Sequence, residues 1–441
     1  MYTIPQSEVV DNLPWPELAE ALAGFLAPLW VQLPDKRLHA VAALMVRGIL
    51  GGQSPLISQM ARGVKRTAET IRPQARRMYR FVRNERFSHR ELLKGLYGVA
   101  QQHVAHQPPG RLVVAVDPVN LEKCYTEELE GVSTVLKSTP PGPEGKRLTT
   151  GYPAITATIV NLPEPVVTYA NWFSYETADF VSENRELYRA LRITRALFPE
   201  QALCFTGDAG LDDQKIFRVC ELVDADFVIR GYQERQVEVY NERLDRWETE
   251  KLSDLIATVP LSYETRLAFT HARHTRVVDK HLGCLKIRLP AHPQQILWVL
   301  VVYDPQQQEE FFLLTNISLD SAAAVKRTLR EWRLRAQVEH TYRFDQEDGL
   351  DLEDVRVHTL ERMRRIFVLV LLAALFVYHI DQSWSPDALL WLRRLGGKFG
   401  LPSDADGPYV LLAGIRAVFM TAATLSFAAR HPFPRDGPTC G

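Results

Sequence analysis

Three carboxylates stand out by their settings. Asp117 follows the apolar run Leu112–Val116, and Asp208 follows Leu203–Thr206 through Gly207. Each reads as an acid at the end of a buried strand, where a rigid sheet holds functional side chains at an open edge. A turn or cap role is the plain alternative for either one alone. Glu339 belongs to a segment read as one helix from Ala322 to about Asp345. At 3.6 residues per turn, Trp332, Arg335, Glu339 and Gln346 project from one side of that helix, with Tyr342 and Arg343 beside them. A core-facing stripe would be apolar. This one carries an aromatic ring, a guanidinium, a carboxylate and an amide, which suits a charged ligand. Asp117, Asp208 and Glu339 together offer hard oxygen ligands to Mg²⁺, which retains waters and needs few carboxylates; Mn²⁺ can substitute. Two such ions stabilise both the attacking and the leaving oxygen of an in-line phosphoryl displacement.

The elements that must position these acids alternate in type. Leu112–Val116, Ala154–Val160, Val166–Trp172, Leu203–Thr206 and Phe227–Arg230 read as strands, and Glu183–Leu197 and Asp213–Leu222 as helices. That order matches a mixed sheet flanked by helices, an α/β class. From Gln233 to Leu319, β-branched and aromatic residues alternate with polar ones, which reads as an inserted antiparallel sheet. The expected division is a helical N-terminal region (1–106), the first part of the α/β core (107–232), the β insertion (233–319), the rest of the core with the glutamate helix (320–380) and a helical C-terminal region (381–441). Gln107-Pro-Pro-Gly110 marks the first boundary, and a Pro/Gly-rich loop spans Ser138–Gly145.

The chain has 441 residues, 46% hydrophobic and 24% charged, with a formal net charge of −1. That excludes a uniformly basic coat, so charge for a polyanion must be local. Between Arg62 and Lys94 it is: eleven lysines and arginines face only Glu69, Glu85 and Glu91. Arg66, Arg72, Arg76, Arg77 and Arg80 are the candidate DNA contacts there; a solvated helix face is the bland reading. Helices over Asp35–Leu50 and Ser54–Arg62, then an arginine-studded one over Thr67–Asn84 with a kink or break at Pro73, could act as a helix-turn-helix. Five cysteines without a CxxC pair suit a reducing cytoplasm. Glu8 and Asp11 stand where a signal peptide would be basic. The apolar run Ile366–Tyr378 falls short of the ~20 residues of a membrane span and reads as a core helix, so no membrane partner is expected. His271, His274, His281 and Cys284 are spaced too widely for an ordinary zinc site, and Trp298 reads as core.

Several segments carry a family resemblance: Tyr79-Arg-Phe-Val-Arg-Asn84, Val116-Asp117, Thr206-Gly-Asp-Ala-Gly210, Phe311-Phe-Leu-Leu-Thr-Asn316, and Trp332, Arg335, Glu339 and Gln346 followed by Gly349–Arg356. From about Tyr79 to Phe376 the sequence resembles the IS4-like group of DDE transposases, the group related to the Tn5 transposase. The intervals of 91 residues from Asp117 to Asp208 and 131 from Asp208 to Glu339 suit a β insertion. The family signature is Tyr-x2-Arg-x3-Glu-x6-Lys; here Trp332 replaces the Tyr, Gln346 replaces the Lys, and Asp117-Pro118-Val119 replaces Asp-x-Thr. The resemblance implies an RNase H-like core and a homodimer in a synaptic complex on double-stranded DNA. It implies hydrolysis at transposon terminal inverted repeats, strand transfer into target DNA, two Mg²⁺ ions, and a place at the bacterial nucleoid. Arg335 would hold a transposon-end phosphate. Gln346 supplies no charge, which leaves open a weakened or domesticated end-binding protein. The carboxylates alone equally suit a two-metal nuclease without strand transfer.

Overall fold

The computed structural model describes residues 13–64, 68–105, 110–124, 128–137, 147–178, 180–271, 274–346, 349–397 and 407–428. The Ser138–Gly145 loop lies outside them.

The N-terminal helices are α1 (Trp15–Phe25), α2 (Ala27–Trp30), α3 (Lys36–Gly52), α4 (Ile57–Val64), α5 (Ala68–Val82) and α6 (His89–Ala105). Asp35 starts α3 by accepting from the Arg37 and Leu38 N–H groups at 2.9 and 3.0 Å. α3 and α4 meet at 90°. Glycines allow the close crossing: a Cβ on Gly51 would lie 2.6 Å from the Gly63 carbonyl oxygen. α5 runs through Pro73 without the expected break. Burial of Met78, Phe81 and Val82 holds its later turns in place.

The sheet follows: β1 (Leu112–Glu122), β2 (Ser133–Leu136), β3 (Leu148–Ile159), β4 (Val166–Trp172), then α7 (Glu183–Leu197), β5 (Leu203–Gly207), α8 (Gln214–Leu222) and β6 (Asp226–Gly231). β1 lies between antiparallel β3 and parallel β5; β5 pairs in parallel with β6, and β4 pairs antiparallel with β3. The next strands are β7 (Gln236–Asn241), β8 (Arg246–Lys251), β9 (Tyr263–His271), β10 (His274–Leu289), β11 (His292–Asp304) and β12 (Glu309–Thr315). They do not form a separate inserted sheet. β12 pairs with the free edge of β6, and β11, β10, β7 and β8 continue outward from it. The insertion therefore extends the core sheet, covering an edge that would otherwise expose unpaired backbone groups.

β1 also differs from expectation. It does not stop at Asp117 but continues through Pro118 to Glu122. Val160 N–H donates to Val113 O and Lys123 N–H donates to Thr150 O, so odd-numbered β1 residues bond toward β3. Residue 118 faces the β5 side, where the pairing has ended at Ala115–Thr206. A proline there forfeits no ladder hydrogen bond.

The chain closes with α9 (Ala322–Arg333), α10 (Ala336–Gln346), α11 (Leu360–Ser383), α12 (Pro386–Gly396) and α13 (Gly407–Ala428). α9 and α10 cover one face of the sheet, where Val325, Leu329 and Val338 meet Val113, Ala115, Cys204 and Val228. α7 and α8 cover the other, against Val114, Val116, Phe205 and Phe227. α11 is longer than the apolar run suggested, and it and α13 have the length and apolarity of a membrane span; 83% of the apolar window of α11 is nonetheless buried inside the protein. It packs in one apolar cluster with the N-terminal helices. Arg365 of α11 is 5% exposed and donates to the Val82, Asn84 and Phe87 carbonyls at 3.0, 2.6 and 2.7 Å, closing the end of α5.

Candidate active site

Register brings the two aspartates together. Leu112 faces Leu203 and Ala115 faces Thr206, an offset of 91 residues between parallel β1 and β5. The interval from Asp117 to Asp208 is the same 91 residues. The two acids therefore fall at one level on neighbouring strands. Alternation puts Asp117 on the face of Val113 and Ala115, and Asp208 on the face of Cys204 and Thr206. This is the face that α9 and α10 cover.

Asp208 sits just beyond β5 and opens a short 3₁₀ turn, where its carboxylate accepts from the Gly210 N–H at 2.9 Å. Gly207 lets Leu211 pack closely over it: a Cβ there would lie 2.6 Å from a Leu211 methyl, which would have to shift. Trp332, near the end of α9, donates its indole N–H to the Gly207 carbonyl at 3.0 Å and packs on Phe311 of β12, ring centroids 5.0 Å apart. Arg111, at the foot of β1, bonds both Asp226 and Glu331, holding α9 over the sheet.

The segment read as one helix is two. α9 ends at Arg333, and Leu334–Arg335 form a tight turn before α10. Arg335 N–H donates to Trp332 O, Gln337 N–H to Leu334 O and Val338 N–H to Arg335 O, the i→i−3 pattern of a 3₁₀ turn. The cause is tertiary: Trp332 is hooked to Gly207 while Val338 is pressed on Val113 and Ala115. Trp332, Arg335 and Glu339 therefore do not share one straight helical stripe. They still converge. Arg335 lies 3.4 Å from the Asp117 carboxylate and 3.5 Å from that of Glu339.

Burial raises the Asp117 pKa to about 7; Arg335 opposes this, while the charges of Asp208 and Glu339 add to it. Both other acids are thus electrostatic neighbours of Asp117. Three carboxylates of like charge neighbour one another around a half-desolvated centre, with Arg335 between Asp117 and Glu339; their oxygens do not all lie within 4.8 Å of one another, and they are ligands of the type a hard divalent cation takes. Side-chain exposure is graded across it: 13% for Asp117, 18% for Arg335 and 62% for Glu339. Asp117 and Arg335 are mostly enclosed and the glutamate faces solvent.

The basic stripe is carried by α5. Arg72, Arg76, Arg77 and Arg80 are exposed on α5. Arg76, Tyr79, Arg80 and Arg83 line a shallow groove of about 280 Å³. Arg66 lies outside the described residues, as do the side chains of Tyr342, Arg343 and Gln346. Trp298 is half-buried under the Lys286 ammonium, 5.0 Å from its ring centre. His281 and Cys284 are three residues apart on β10 and so point to opposite faces. Sequence reasoning missed two features. One is a cavity of about 650 Å³ farther along β1, lined by Glu122, Lys123, Asp351, Glu353, Asp354 and Arg356 among others. Its only sequence signal was the acidic run after Gly349. The other is a His103–Glu164–His379 cluster.

No family model and no curated protein matches this chain. Among solved structures, it is similar to a piggyBac transposase synaptic complex with hairpin DNA, at 10% identity and a TM-score of 0.41, over 96% of this chain and 84% of that one. A likeness of that size carries no information about chemistry.

Proposed function

We propose that this protein is a DDE-type DNA transposase that cleaves phosphodiester bonds at transposon ends and joins the freed 3′-OH to target DNA. The carrying observation is that Asp208, level with Asp117 on the neighbouring strand, and Glu339, on the helix above, are both charge neighbours of Asp117, with Arg335 bridging Asp117 and Glu339. The order β2-β3-β1-β5-β6, with β4 also pairing with β3 and with β5 and β6 parallel to β1, supports an RNase H-like reading of the core. The IS4-like assignment rests on the sequence signature alone.

In this reading Asp117, Asp208 and Glu339 hold two Mg²⁺ ions. When bound, such a pair activates the attacking oxygen and stabilises the leaving one. The chain's own groups do the positioning. Asp117, whose carboxyl pKa is pushed up to about 7 by burial and its acidic neighbours, would be one of the ligands and would meet the ions from the buried side of the centre. Asp208 is kept in place by the Gly210 N–H, and Trp332 fixes the Gly207 peptide just before it. Glu339, exposed on α10, is the ligand free to adjust. Arg335 bridges Asp117 and Glu339 and is placed to pass to a DNA phosphate, which its fork binds strongly. Helix α5 supplies backbone contacts through its exposed arginines. The intended assembly is a homodimer on paired DNA ends.

The test is a Mg²⁺-dependent assay with full-length protein on linear DNA bearing the inverted repeats that flank the gene. Cleavage followed by strand joining supports the proposal. Cleavage without joining marks a nuclease, and binding without cleavage marks an end-binding protein; either overturns it.

A further inference from the structure

Away from the acidic centre, three ligand-type side chains from three elements meet. His103 is in the last turn of α6, Glu164 is in the turn between β3 and β4, and His379 is on α11. One ligand atom from each lies within 4.8 Å of the others. His103 Nδ1 is in contact with the Glu164 carboxylate as an ion pair. Among the described residues no hydrogen bond reaches the His379 ring. It stands at 86° to the His103 ring, centroids 5.5 Å apart, against the face of Phe25. An ion pair between His103 and Glu164 accounts for two of the groups and leaves the third unexplained.

We infer that this cluster is a binding site for a divalent transition metal such as Zn²⁺. Two imidazoles and one carboxylate form an ordinary zinc set with a fourth position for water. Bonds of about 2.0–2.2 Å put tetrahedral neighbours about 3.3–3.6 Å apart, so the present spacing needs only small side-chain movements. Glu164 is 7% exposed and lies between Pro163 and Pro165, which restrict the backbone that presents it. Metal binding takes the place of the direct His103–Glu164 contact. Phe25 and Phe376 wall the cluster with apolar surface.

The site is distinct from the acidic centre. Val160, which enters the Glu164 turn, bonds to Val113, whereas Asp117 pairs with Thr156, roughly 13 Å farther along β1. α6 also packs on the opposite sheet face, where Ala100 and Val104 meet Val114 and Val116. A metal there ties the last N-terminal helix, the core sheet and the central helix α11 together. Its role is to clamp the helical region to the core, separate from Mg²⁺ chemistry.

The experiment uses tag-free full-length protein and Zn²⁺ in competition with a chromogenic chelator, with circular dichroism to check each fold. The wild type is expected to hold one tight equivalent of Zn²⁺ that excess Mg²⁺ does not displace, and to gain several degrees in thermal midpoint. His379→Gln and Glu164→Gln are expected to lose at least about 10-fold in affinity, while Asp208→Asn keeps the full equivalent. Absence of a tight equivalent in the wild type, or equal affinity in folded His379→Gln, overturns the assignment. Should both variants misfold, Co²⁺ absorption of the wild type decides. An intense tetrahedral spectrum supports the site, and a weak octahedral one overturns it.

Discussion

Replacing Asp117 with Asn should stabilise the metal-free protein at alkaline pH. Asp117 has a folded pKa of about 7 against an ordinary 3.8, because it is buried and flanked by acids. Between those values the folded state keeps a proton that the unfolded chain has released. Stability therefore falls as pH rises through that window, and the full cost is present above it. At about 1.4 kcal/mol per pH unit, the gap amounts to about 4 kcal/mol. Asparagine removes this cost but also breaks the contact with Arg335. That contact, long at 3.4 Å, is worth at most about 1 kcal/mol. The net expectation at pH 8 in EDTA is a gain of about 2–4 kcal/mol, shrinking to nothing near pH 4. Urea unfolding at both pH values measures it. Mg²⁺ should raise the midpoint of the wild type and leave Asp117→Asn unmoved. An unchanged or lower stability of the variant at pH 8, or a gain equal at both pH values, would refute the claim that like charges are stored there for a cation.

Other substitutions probe separate parts of the account. Asp208→Asn and Glu339→Gln should each lower Mg²⁺-dependent cleavage by at least roughly 10²–10³-fold, the scale of losing one preorganised electrostatic group, while a gel-shift assay shows DNA-end affinity within a few fold of wild type. Arg76→Ala with Arg80→Ala should weaken binding to all DNA sequences and flatten the log–log salt dependence by about 2, read by fluorescence anisotropy across a salt series. Trp332→Phe keeps an aromatic on Phe311 but loses the bond to Gly207; a cost of about 1 kcal/mol in chemical unfolding and a fall in cleavage rate with unchanged end binding are expected. Arg365→Leu leaves three carbonyls at the end of α5 without their donor and the Glu361 carboxylate with His89 alone, and should cost about 3 kcal/mol or more by the same unfolding measurement.

Much of the core was legible because burial imprints short apolar runs. Val166–Trp172 and Glu183–Leu197 stand in the structure with the bounds their composition suggested. The two aspartates were legible for the same reason, each closing an apolar run. Their shared level depended on strand pairing, which becomes readable only once the offset of 91 is known. The apolar run stops at Val116, so the strand was read as ending on Asp117; nothing local says that residue 118 faces a vanished neighbour and that the strand can run on through Pro118. The break at Leu334–Arg335 carries no glycine or proline; it is imposed by Trp332 and Val338 gripping different parts of the sheet. The continuity of β12 with β6 was equally hidden, because alternation identifies strands but not their partners. His103, Glu164 and His379 lie 61 and 215 residues apart, so no motif announced them.

The central claim is most directly tested by crystals of the full-length protein soaked in Mn²⁺ and measured for anomalous scattering. Two peaks roughly 3.5–4 Å apart, ligated by Asp117, Asp208 and Glu339, are the expected result. Manganese bound elsewhere with that centre empty, or the three carboxylates standing too far apart to share a cation, would contradict it.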